Sequence, residues 1–195
     1  AYYALRPATL EDLSSQVQDL VARPFMMGMV AETYSNRALN VDADPRLIPS
    51  ELDYFSIFAR LTERKAQDAQ ILVHPANVAD RENMPEAIGD FCSLLAEMMF
   101  ERLVSNDPRL TSGRDALPVD SVSKRPELES FAQNRHAISV LEAVLQIGLL
   151  ERIAIPQRNR DGKLMASPAF KFFHDQYTQF WIAAAYQRKI LGWLN

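Results

Sequence analysis

The sequence predicts a mainly α-helical chain with one β-hairpin near its C-terminal end, and three observations predict it. Apolar residues recur at three- and four-residue spacing over most of the chain, the mark of helices with a buried face. Pro and paired helix-start residues punctuate those runs. One stretch, Leu150 to Phe173, reads as two strands about an Asp161-Gly162 pair, a hairpin signal. The 195 residues, 48% hydrophobic and 24% charged, suffice for a real core and argue against a disordered chain.

Thr9 with Asp12 three residues on resembles a capping box. Leu10, Leu13, Val17, Leu20 and Val21 then follow at helical spacing. Pro24 ends that helix and opens the next at its first position, where a missing N–H costs nothing. Residues 25–34 are apolar almost all round, which predicts burial on every side. Met26, Met27 and Met29 read as core filling. Residues 36–49, with Pro45 and Pro49, read as a loop. Ser50 with Asp53 is a second capping pair, and Leu52, Phe55, Phe58, Ala59 and Thr62 supply the core face of the helix after it. His74-Pro75 reads as extended or turn, because a residue before Pro avoids the helical region. A helix from about Pro85 to Val104 places Ile88, Phe91, Leu95, Met98 and Met99 on one side, with Cys92 a buried small hydrophobe.

Residues 105–125 are rich in Asn, Asp, Pro, Ser, Thr and Gly and form the best boundary in the chain. The expected organisation is a helical domain over 1–110, a linker over 111–125, and a second domain over 126–195. The second domain reads as a short helix from Pro126 to Phe131 and a stronger one from His136 to Leu149. The latter carries Ile138, Leu141, Leu145 and Leu149 on one face. Strands over 150–155 and 164–173 and a last helix capped by Asp175 complete it. Helix, helix, hairpin is the order of a winged-helix domain. The fold expectation is therefore a helical bundle followed by a winged helix with a small β-hairpin wing.

Net charge is −4, too acidic overall for a strongly basic nucleic-acid protein. The charge is uneven: residues 1–120 hold 11 basic and 19 acidic side chains, residues 121–195 hold 10 and 6. Such halves suggest surfaces with different neighbours. A single Cys excludes intramolecular disulfides and multi-thiolate metal sites and fits a reducing, cytoplasmic setting. No apolar run approaches the roughly 18 residues of a membrane span. The N-terminus carries neither Met nor a signal peptide, and Ala1 reads as the cut end of a longer protein. No phosphate-cradling G-x-x-x-x-G-K-[ST] occurs, nor G-x-S-x-G or H-E-x-x-H. His74, His136 and His174 are too scattered for a metal site. Neither a catalytic nor a metal-binding residue is assigned.

Two stretches resemble one family. Residues 5–13 and 22–34, with Ala22-Arg23-Pro24-Phe25-Met26-Met27 at the join, look like the helical segment after the ATPase core of NACHT-type STAND NTPases. Pro24 matches the Pro that opens a buried helix there and packs on the adenine of the bound nucleotide; where the family often has Gly two residues earlier, this chain has Ala22. Phe172-Phe173-His174-Asp175, followed by Phe180-Trp181 and Ala183-Ala184, is similar to the aromatic-x-His signature closing the family's winged-helix domain. His174 matches the His that reaches the phosphates of ADP and holds the closed state. His174-Asp175 is also similar to the Met-His-Asp motif of NB-ARC switch proteins. The resemblance implies ATP or ADP as cofactor together with a P-loop domain ahead of Ala1, self-association of the whole protein, and signalling, with defence as one setting. The chain itself would be no enzyme.

The bland reading of His174 is a histidine satisfied by a backbone carbonyl, and that of Pro24 an ordinary helix start. Arg152, Arg158, Arg160 and Lys163 gather on the predicted wing, as a solvated hairpin, as phosphate contacts to DNA, or as a dock for an acidic domain. A second function is thus open: a winged-helix DNA-binding regulator with a helical dimerisation or sensor domain. Against it, the candidate recognition helix offers only His136 and Gln146 as base readers and carries Glu142. A third is an interaction module of a large assembly.

Overall fold

The computed structural model describes residues 14–34, 48, 52–73, 78–105, 115–126, 128, 131, 139–158 and 161–194. Thr9, Asp12, Ser50, the 36–47 loop, His74-Pro75, His136 and Arg160 lie outside them. By compactness the chain divides into Ala1–Arg64 and Lys65–Asn195. The long helix that composition grouped with the first half therefore belongs to the same unit as the hairpin.

In the first unit, α1 (Ser15–Val21) starts where the Ser14 hydroxyl accepts from the Val17 N–H at 3.4 Å, and it buries Val17, Leu20 and Val21. Pro24 is the first residue of α2 (Pro24–Tyr34), as its ring predicts. The Arg23 carbonyl accepts the first helical bond, from Met27 N–H at 2.9 Å. Burial of α2 is one-sided, contrary to its all-round apolar sequence: Met26, Met29, Val30, Ala31 and Tyr34 are inside, Pro24 and Gly28 outside. The three- and four-residue spacing selects the buried face here, and apolar composition alone does not. The Arg64 guanidinium donates to the Thr33 carbonyl at 2.7 Å, satisfying one of the orphan acceptors in the last turn of α2.

The helix α3 (Tyr54–Ala69) is started by Asp53, while Ser50, its expected capping partner, lies outside the described residues. Asp53 Oδ1 accepts from the Ser56 N–H at 2.6 Å and its carbonyl from the Ile57 N–H at 3.1 Å. That start sets the phase. Ile57, Phe58, Leu61, Thr62, Ala66 and Ala69 form the buried stripe, whereas Phe55 and Ala59, expected inside, are exposed. A single 3-10 turn, Gln70–Leu72, follows.

The second unit is built on α4 (Val78–Val104), 27 residues long. It begins well before Pro85, where the sequence suggested its start. Pro85 removes one backbone bond, a loss confined to a single turn. Met84, Ile88, Phe91, Cys92, Leu95, Ala96, Met98 and Met99 are buried. Ser93 Oγ donates to the Gly89 carbonyl and accepts from Arg188 Nη2, both at 2.6 Å. Next come β1 (Leu117–Pro118) and α5 (Val119–Ser123), then buried Leu128.

The next helix, α6 (Val140–Gln146), is shorter than the 136–149 expected, because it is framed on both sides. At its start Ser139 and Glu142 form a capping box, with 3.2 Å and 3.0 Å bonds in the two directions. At its end Gly148, φ +70, donates to the Leu145 carbonyl, and Leu149 donates to that of Val144. This is a Schellman motif, which requires the left-handed conformation that glycine tolerates. Lys65 Nζ donates to the Ile147 carbonyl at 3.0 Å. Ala143, Val144 and Leu149 are buried; Leu141 and Leu145, expected inside, are half-buried.

The hairpin strands β2 (Leu150–Arg158) and β3 (Leu164–Phe172) pair antiparallel from Leu150↔Phe172 to Arg158↔Leu164. Gly162 in the turn has φ +76. With Leu117↔Phe170 pairing on the other side of β3, the sheet order is β1-β3-β2. One sheet face buries Leu150, Phe170 and Phe172; the other buries Ile155 and Ala169 against Ala116. The last helix, α7 (Asp175–Leu194), packs its first turns on β3. Trp181 stacks on Phe172 at 5.8 Å and 8°, and Tyr177 meets Phe172 edge-on at 5.8 Å. The architecture is mainly helical with a small three-stranded antiparallel sheet.

Candidate functional site

His174 lies in the two-residue turn between β3 and α7, half-buried. It is the residue that starts α7, the role expected of Asp175. Its carbonyl accepts from the Thr178 N–H at 2.9 Å and from the Thr178 hydroxyl at 3.2 Å. Its Nδ1 accepts from the Gln176 N–H at 3.2 Å. A ring nitrogen that accepts carries no proton, so the neutral imidazole holds its hydrogen on Nε2. His174 is therefore a helix cap whose Nδ1 is an acceptor.

Charged groups flank this turn. Lys171 Nζ is 2.7 Å from Asp115 Oδ2 and 2.6 Å from Asp175 Oδ1. The hydrogen bonds to Asp115 and then Asp175 push the Lys171 ammonium above its ordinary range. The Lys171 hydrogen bond, with its charge, holds the Asp175 carboxyl below the usual carboxylate range, and nearby His174 adds to that. On the second turn of α7 the Trp181 indole N–H is buried without a hydrogen-bond partner among the described residues; so is Gln176 Oε1 on the first. Buried orphans of this kind are uncommon.

Pro24 is exposed in the first unit, at the start of α2. Beside it Arg23 hydrogen-bonds the Tyr54 hydroxyl and lies 5.7 Å over the Tyr54 ring. Pro24 and His174 belong to different units. Among the described wing basics, Arg152 stands apart from Arg158 and Lys163. Arg152 lies at the base of the hairpin, its guanidinium 5.8 Å over the Phe170 ring and close enough to Glu142 to lower that carboxyl. Lys163 is exposed beside Gly162 in the turn. Six residues of strand, Arg152 to Arg158, span about 20 Å, so these charges cannot share one phosphate. The hairpin's extent decides this, and the linear clustering concealed it.

Lys171 and Asp115 escaped the sequence reading. Lys171 with Asp175 has the i,i+4 spacing of an ion pair, but it straddles a strand end and a helix start, where that spacing has no fixed meaning. Asp115 reaches Lys171 only through the β1–β3 pairing. Among the described residues no group of three or more His, Cys, Asp and Glu is placed to hold a metal ion. None of their helices is long and apolar enough to cross a membrane. Comparison with known proteins found no matching family model, no matching curated protein and no matching solved structure.

Proposed function

We propose that this chain is the regulatory lid of a STAND-type signalling NTPase, closing over bound ADP or ATP and controlling self-association of the whole protein. Two observations support it at the level of fold and site. The order α4, β1, α5, α6, β2, β3 with sheet order β1-β3-β2 is what a winged-helix domain requires. The observation that carries the reading is His174: within the Phe-Phe-His-Asp context its Nδ1 is taken as acceptor by Gln176 N–H, leaving Nε2–H as the ring's donor. A donor is what an oxyanion needs. Pro24 would cover the adenine, His174 would meet the phosphates, and exchange of ADP for ATP would release the winged helix as a rigid body.

Nucleotide in this scheme is held with a P-loop domain of the same polypeptide, in the cytoplasm, and the chain hydrolyses nothing itself. The DNA-binding alternative is less well supported. Exposed Glu142 on α6 is near Arg152 of β2, and Arg152 is engaged with Phe170. Reading the coding frame ahead of Ala1 tests the proposal. A G-x-x-x-x-G-K-[ST] loop after a predicted strand is the expected result, with no magnesium-dependent ATP turnover by the purified chain alone. A frame without that loop, or turnover by this chain that a point substitution within it abolishes, would overturn the reading.

A further inference from the structure

Directly paired residues of a hairpin share a face, and every second pair shares it again. Phe170 therefore stands on one face with Leu150 and Phe172 at the base. Further out the same face carries Ala154 opposite Pro168, then Pro156 opposite Ala166, then Leu164. At the base α7 covers it, through Tyr177 and Trp181 against Phe172. Beyond Phe170 that cover stops: Ala154, Pro156, Leu164, Ala166 and Pro168 are all exposed. A solvated face of an antiparallel sheet ordinarily carries polar side chains, and these five are apolar. The edges do not invite another strand. Pro156 lies on β2 and Pro168 on β3, and each lacks a donor that a further strand would need. What docks here meets the face and not an edge.

The charges around the face select the partner. At its base Glu142 and Arg152 are exposed and near one another; at its tip Asp161 and Lys163 are exposed. Each end thus carries one acid and one base, which matches neither an anionic lipid surface nor a polyanion by sign. A second copy matches it. Laid face to face with its ribbon running the opposite way, it brings Lys163 to Glu142 and Asp161 to Arg152 at both ends, the self-complementary contact of a two-fold axis. We propose that this face of the hairpin is a self-association surface, on which two copies of the chain stack ribbon on ribbon, antiparallel. The face is about 20 Å long and about 10 Å wide, well short of the roughly 800 Å² per partner of a stable complex, so the contact is weak and reversible. The proposal deepens the self-association in the lid reading and rests on that reading only for its use.

Analytical sedimentation of the chain tests it. Between about 10 µM and about 1 mM the wild type shifts from monomer toward dimer. Ala166→Glu sets like charges across the stack and weakens the dimer about tenfold or more. Met165→Glu is the same charge change at an exposed residue of the opposite face, and it leaves the dimer unchanged. A wild type monomeric at every concentration, an Ala166→Glu that dimerises as the wild type does, or a Met165→Glu that weakens the dimer equally would overturn the proposal. Should Ala166→Glu not fold, Ala166→Cys decides. Position 166 lies beside the two-fold axis and Cys92 is buried, so Ala166→Cys oxidises to a linked dimer faster than Met165→Cys; equal rates overturn the proposal. A monomer that binds phosphatidylserine vesicles, and loses them in Ala166→Glu, would assign the face to lipid and overturn it too. A dimer in a protein whose coding frame lacks the P-loop leaves this surface standing and removes the lid; a P-loop with a monomeric chain does the reverse.

Discussion

Cys92 lies midway along α4 with its side chain fully buried, and burial pushes its thiol far above the ordinary cysteine range. Thiolate is the reactive form, so the folded chain should resist alkylation at pH 8, with modification keeping pace with unfolding in urea. Rapid labelling of the native chain would contradict this burial. At this scale the sequence was informative where packing decides: an apolar helical spacing placed Cys92, Ile88, Phe91 and Leu95 inside, and they are. It was less so where a hydrogen bond decides. Ser139 and Glu142 stand at capping-box spacing, yet an apolar pattern running back to Ile138 concealed the helix start. His174 as a cap was not legible at all, because imidazole has no strong preference for that position.

Elements were legible when local chemistry terminated them. The Asp161-Gly162 turn and strand alternation located the hairpin. The two-residue strand β1 was not legible, since only pairing with Ala169 and Phe170, some fifty residues away, makes it a strand. Two expected outcomes belong here. Gly148→Ala forces a left-handed residue to carry a Cβ, which costs about 1–2 kcal/mol. The added atom meets nothing within 4 Å, so the loss should show as a lower urea midpoint with an unchanged slope. The second concerns acid. Asp53, Glu142 and Asp175 all have lowered carboxyl values, the first two chiefly by helix-start hydrogen bonds from Ser56 and Ser139, the third by Lys171. A lowered folded value means the stabilisation is complete above the ordinary values of 3.8 and 4.5 and is lost as pH falls below them. Urea midpoints should be flat from pH 7 to 5 and fall from about pH 4 downward. Lys171, raised in the folded chain, contributes with the opposite sign: its share is complete below 10.5 and disappears only at higher pH. A midpoint that rises as the pH falls below about 4 would contradict the carboxylate assignments.

For the whole molecule, the spacing of apolar residues correctly indicated a mainly helical chain. The pairing of Lys171 with Asp115 is a product of the assembled sheet, which no local pattern encodes. The central claim concerns His174, and the local cap offers a control that separates fold from function. Asparagine is a favoured helix cap but is shorter than imidazole, so His174→Asn should keep the start of α7 while withdrawing the donor. The most direct measurement is ADP affinity of the full-length protein for wild type, His174→Ala and His174→Asn, with a melting curve for each. Loss of a hydrogen bond to a charged acceptor is worth roughly 1.5–3 kcal/mol. Both variants should therefore bind ADP about 10- to 150-fold more weakly and shift toward the self-associated state, with His174→Asn melting close to the wild type. A His174→Asn protein that binds ADP as the wild type does, or an alanine variant that loses thermal stability with its ADP affinity intact, would show His174 to be a helix cap and nothing more.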